Sequence, residues 1–104
     1  MRYTYMLQQP VHLSKKTADG YAIPLGPVNL VFVKTENGLV GCGAIDVVAL
    51  EKFGYPAARV RPAEGPAVVT ISDLLAGIVK EVNPSAAKWG IKAGMTGKEA
   101  LEHL

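Results

Sequence analysis

From Arg2 to Leu7, aromatic or long apolar side chains alternate with polar ones, the period of a strand with one covered face. Gln8-Gln9-Pro10 reads as its end, which makes it a short edge strand. Val11-His12-Leu13 is set to pair with Tyr21-Ala22-Ile23 across the polar stretch from Ser14 to Gly20, with Asp19-Gly20 as the tight turn. Pro24, Gly26 and Pro27 then break the pairing. Val28 to Thr35 is rich in β-branched and aromatic residues, Asn37-Gly38 is a hairpin signal, and Leu39 to Gly43 is the partner strand. This hairpin is apolar at nearly every position. Both of its faces are therefore expected to be covered, one by helices and the other by sheet or a second subunit.

Ile45 to Phe53 is apolar around most of its circumference and is followed by Gly54, which predicts a buried helix with a glycine at its C-terminus. Ala57 to Arg61 reads as a strand that puts Arg59 and Arg61 on one face, and Ala67-Val68-Val69 reads as a second, shorter one. Ile71, Leu74, Leu75, Ile78, Val79 and Val82 recur at three and four residues and predict one helix over 71–82. Thr70 with Asp73 forms its capping box, and Gly77 inside it calls for close packing of another element. Asn83-Pro84 ends that helix and begins a further turn, which Gly90 stops. A second capping box, Thr96 with Glu99, opens a last helix that turns Ala100, Leu101 and Leu104 to the core.

These elements sum to an α/β (α+β) fold: a small mixed, mainly antiparallel sheet with helices packed on one face. The length of 104 residues suits one domain with a single core of modest size. Apolar residues make up 49% and charged residues only 19%, too little polar material to cover the apolar excess, so self-association is expected. Eleven basic and nine acidic residues are scattered without a Lys/Arg stripe, which argues against nucleic acid and anionic membranes as partners. No apolar run approaches the roughly 20 residues of a membrane span, and the first residues lack a signal-peptide pattern. One cysteine fits a reducing compartment, and a cytoplasmic location is expected.

Three stretches carry a resemblance: Gly41-Cys42-Gly43-Ala44-Ile45-Asp46, Thr70-Ile71-Ser72-Asp73-Leu74-Leu75, and the run from Trp89 to Leu101 with its Gly94-Met95-Thr96-Gly97-Lys98-Glu99-Ala100-Leu101. Together they resemble the YunC-like family, a bacterial and archaeal domain of unknown function, over roughly residues 11–104. The resemblance implies a single α/β domain whose N-terminal β region, residues 1–35 here, mediates tetramerisation, with the α/β core in 36–104. It implies no established activity.

Candidate chemistry centres on Cys42, the chain's one thiol, flanked by Gly41 and Gly43 at a strand-to-helix bend. Backbone N–H groups and the helix dipole at such a bend favour a thiolate. The plainer reading is a small buried filler, since no histidine is placed beside it by the sequence. Asp46 is a second candidate, equally explained as a first-turn carboxylate that favours the helix dipole. Arg59 and Arg61 suit a small anionic ligand held by bidentate hydrogen bonds, or else a solvated edge paired with Glu36, Glu51 or Glu64. His12 and His103 stand apart, no metal-ligand spacing is present, and neither a metal nor a cofactor is expected. Two functions remain open: a homo-oligomeric small-molecule-binding or thiol-dependent domain with Cys42, Gly43 and Asp46 at its site, and a structural or interaction module with no catalysis.

Overall fold

The computed structural model describes residues 5–104. Six strands form one mixed sheet in chain order: β1 (Leu7–His12), β2 (Thr17–Pro24), β3 (Asn29–Lys34), β4 (Leu39–Gly41), β5 (Ala57–Arg61) and β6 (Ile78–Val82). Neighbouring strands are antiparallel except β4 and β5, which are parallel. A parallel pair needs a crossover, and helix α1 (Val47–Glu51) lies on it. The other helices are α2 (Ile71–Ala76), α3 (Pro84–Ala87) and α4 (Gly97–Glu102). A mixed, mainly antiparallel sheet with a few helices is therefore the architecture.

The core lies on one face of the sheet. Ala18, Ala22, Val31, Val33, Val40, Ala58 and Val60 are buried there with Ile71 and Leu74 from α2 and with Ala100, Leu101 and Leu104 at the chain's end. On the opposite face, Ile45 in the turn before α1 lies over Gly41, where an added Cβ would overlap it. The turn that leads into α1 thus packs on the face opposite the core.

Several expectations are corrected. Residues 2–4 of the first predicted strand lie outside the described residues, and the strand itself runs through Gln8-Gln9-Pro10. A proline is tolerated there because β1 is at the sheet edge. The first hairpin turns at 13–16, where the Leu13 N–H donates to the Lys16 carbonyl at 2.8 Å. Asp19 and Gly20 sit inside β2. A Cβ at Gly20 would come within 2.9 Å of Ile71 and 3.1 Å of Val11, so this glycine permits α2 to pack closely and makes no turn. The expected hairpin forms between β3 and β4, but its tip is Glu36-Asn37: the Thr35 N–H donates to the Gly38 carbonyl at 2.8 Å, and Gly38 does not take a positive φ.

Helix α1 is short, and only Val47 of it is buried, while Val48 is 63% and nearby Phe53 84% exposed. Its apolar circumference finds no full cover within one chain. Residues 67–69 form a loop, with Val68 buried. The predicted helix over 71–82 is two elements. Gly77 ends α2 with an extended backbone, and a Cβ there would press on Val60 and the Arg61 carbonyl. The β-branched Ile78 and Val79 then continue as a strand. Both capping boxes, Thr70 with Asp73 and Thr96 with Glu99, are formed.

Candidate functional site

Cys42 follows the last residue of β4. Its N–H donates to the Val31 carbonyl at 2.9 Å, extending the β3–β4 pairing, and its carbonyl accepts from Ile45 N–H at 3.1 Å to close a turn. That turn separates the thiol from α1, whose N-cap is Asp46 and which has five residues. The helix-dipole setting expected for the thiol is therefore not the one built. Cys42 is 6% exposed and belongs to the core cluster.

Cys42 nevertheless lines a cleft of about 610 Å³ at the end of the sheet. Cys42, Gly43 and Ala44 line it after β4, and Arg59 to Pro62 line it at the end of β5, so it opens at the carboxyl ends of the parallel pair. Facing walls come from the loop before β3, through Pro27 and Val28, and from the 66–69 loop, through Val68 and Val69. The Asn29 side-chain amide donates to the Val69 carbonyl at 3.0 Å and ties these two loops together. Lys80 of β6 completes the lining.

Of the residues picked out by sequence, the structure brings Cys42, Gly43, Arg59 and Arg61 to this cleft and leaves Gly41 and Asp46 off its wall. Gly41 is needed for the close approach of Ile45. Asp46 is exposed, and its carboxylate accepts the Ala49 N–H at 3.0 Å, so capping accounts for it. Gly43 is under no such packing demand. Arg59 donates from Nε to the Glu81 carboxylate and reaches toward the Gly43 carbonyl at 3.4 Å. Its partner is thus Glu81 and not Glu36, Glu51 or Glu64. Arg61 meets only the Pro62 carbonyl, at a long 3.4 Å. His12 and His103 face Thr17 and the Trp89 carbonyl respectively, and neither is among the residues that line the cleft.

Lys80 and Val68 line the cleft and Glu81 holds Arg59, and the sequence marks out none of the three. Reading 71–82 as one helix scattered Lys80 and Glu81 over a helical surface. The signal that would have found them is Gly77 followed by β-branched Ile78 and Val79.

A family described as a domain of unknown function, DUF1805, matches residues 41–104. The chain belongs to this YunC-like family. The uncharacterized protein YunC of Bacillus subtilis (strain 168) is 33% identical over 93 residues, which are 88% of this chain and 90% of that protein. The crystal structure of a protein of unknown function from Thermoplasma acidophilum superposes with a TM-score of 0.83 at 28% identity, covering 95% of this chain and 92% of that one. The matched family segment begins at Gly41, so Cys42 to Ala44 and every cleft residue on β5 and β6 lie within it.

Proposed function

We propose that this chain is a homo-oligomeric domain that binds a small molecule in the cleft at Cys42. One observation carries the reading: the cleft opens at the carboxyl ends of β4 and β5, next to the chain's one thiol. Crevices outside the carboxyl ends of parallel strands are where α/β sheets hold ligands. The cleft also falls within the roughly 300–1,000 Å³ of small-molecule sites. A thiol-dependent reaction is the finer form of this reading, with Cys42 as nucleophile. Such a step needs a base within reach. Among the described residues no histidine or carboxylate lines the cleft, and we therefore put binding ahead of catalysis.

Alkylation kinetics test the reading. Iodoacetamide is expected to modify Cys42 in the folded protein, at a rate that does not track unfolding by urea. Modification confined to the unfolded fraction would remove the site and leave the second reading, an interaction module without chemistry. That reading draws on the outward Val48 and Phe53.

Self-association through the N-terminal β region is part of the proposal. Tyr21 and Phe32, cross-strand partners on β2 and β3, stack with ring centroids 4.9 Å apart and remain only half-buried in one chain. A second copy covering this face, in a tetramer, would bury them. Light scattering that returns the mass of a monomer at micromolar concentration would contradict it. Among the described residues no helix is long and apolar enough to cross a membrane. With one unpaired cysteine in the chain, we place the protein in the cytoplasm.

A further inference from the structure

We infer that the ligand of the cleft is an amphipathic anion, a carboxylate or phosphate on a compact apolar body, whose head is held by Arg61 and Lys80. The inference rests on the reading of the cleft as a binding site and adds its chemistry. Among the described residues three basic side chains and no acidic one line the cleft, in a chain whose charges are otherwise nearly balanced. Arg59 is already engaged by Glu81, so it serves as part of the wall. Among the described residues Arg61 and Lys80 have no carboxylate partner.

Lys80 is brought there by an irregularity in the sheet. Arg59 pairs with Glu81 and Val60 with Val79, so the register between β5 and β6 skips Lys80. Without the extra residue, strict alternation would put Lys80 and Glu81 on opposite faces. The bulge lets Glu81 reach Arg59 while Lys80, next to buried Val79, points away from the core into the cleft. Bulges recur beside ligand sites because they re-aim a side chain in this way. One residue thus does two things: it lets Glu81 neutralise Arg59, and it leaves on the cleft that Arg61 lines a second cation with no carboxylate partner among the described residues.

The remaining wall is apolar, with Val28, Val60, Val68 and Val69. A neutral ligand would cover two cations without compensating them, and a cationic one would be repelled. A carboxylate or phosphate accepts from the guanidinium fork of Arg61 and from the ammonium of Lys80 together.

The test uses the full chain, isotopically labelled for amide NMR, with octanoate, octyl phosphate, octanol and octylamine as probes. Octanoate and octyl phosphate should shift the amides of Gly43, Val60 and Val68 saturably, and the tighter of the two identifies the head. Octanol should bind about tenfold more weakly and octylamine more weakly still. R61Q and K80Q, at exposed positions, should each weaken octanoate about five- to tenfold and leave octanol unchanged. Unaltered amide positions elsewhere in the spectrum report that each variant is folded. Equal binding of octanol and octanoate, or octanoate affinity unmoved in R61Q/K80Q, overturns the anion assignment while the cleft stands. If no probe moves these amides, the cleft reading falls with it.

Discussion

At the scale of single residues, much of this molecule depends on small groups at points of close approach. Gly41 is needed because Ile45 lies over it, and Gly41→Ala should cost about 1–3 kcal/mol by overpacking, measured by urea unfolding. Asn83 acts by the opposite means, filling a buried position with hydrogen bonds. Its side-chain oxygen accepts from Ala57 and Ala86 N–H at 3.1 and 2.9 Å, and its amide donates to the Val47 and Tyr55 carbonyls at 3.0 and 2.9 Å. The residue therefore fastens α1, β5 and α3 to one another. Asn83→Ala strands buried partners and should cost roughly 2–4 kcal/mol in the same measurement.

At the scale of elements, the helices are short, and their caps do much to define them. Thr70→Ala and Thr96→Ala each delete an N-cap and should each lower stability by about 1 kcal/mol. The carboxylates that complete these boxes accept backbone N–H groups. Hydrogen bonds from Val69 and then Thr70 hold Asp73 below the ordinary carboxylate range, and those from Thr96 do the same for Glu99. Ser85 lowers Glu51 and Ser14 lowers Glu102 by the same kind of hydrogen bond. A depressed folded pKa means the unfolded chain takes up protons first as pH falls. The stabilisation is complete above the unfolded values, near pH 4, and is lost as pH drops through the lower folded ones. The urea midpoint should therefore be flat above about pH 5 and decline below about pH 4. The double variant D73N/E99Q should be less stable at neutral pH and show a shallower acid decline. An equally steep decline in that variant would remove the caps as its cause.

At the scale of the whole molecule, the end of α4 meets two hairpin turns. The Leu104 side chain is 1% exposed, and its backbone carbonyl oxygen accepts from Lys16 Nζ at 2.5 Å, Asn37 Nδ2 at 2.6 Å and Thr35 Oγ1 at 3.3 Å. The Glu102 carboxylate likewise takes the backbone N–H and hydroxyl of Ser14. These contacts clamp α4 across the turn of the first hairpin and the β3–β4 turn. Leu104→Ala should cost about 2–5 kcal/mol by opening a cavity, read as a lower thermal midpoint. Because the first hairpin puts Val11, Ala18 and Ala22 into the same core as Leu104, the loss should be cooperative and seen equally by far-UV circular dichroism and tryptophan fluorescence.

What the sequence determined by itself was what neighbours along the chain decide. The existence of the β3–β4 hairpin, both capping boxes, the start of α3 at Asn83-Pro84 and the inward face of α4 follow from hydrogen bonds or spacing within a few residues. The tertiary structure decided whatever depends on who lies opposite. Gly20 looked like a turn and is a space for Ile71, and Ile78 to Val82 fitted a helical stripe until pairing with β5 made them a strand. The cleft belongs to this second class. Cys42, Arg59 and Arg61 were visible as residue types, but Lys80 and Glu81 join them only through a one-residue shift between β5 and β6. A strand register is set by packing across the sheet, and a single chain's periodicity carries no record of it.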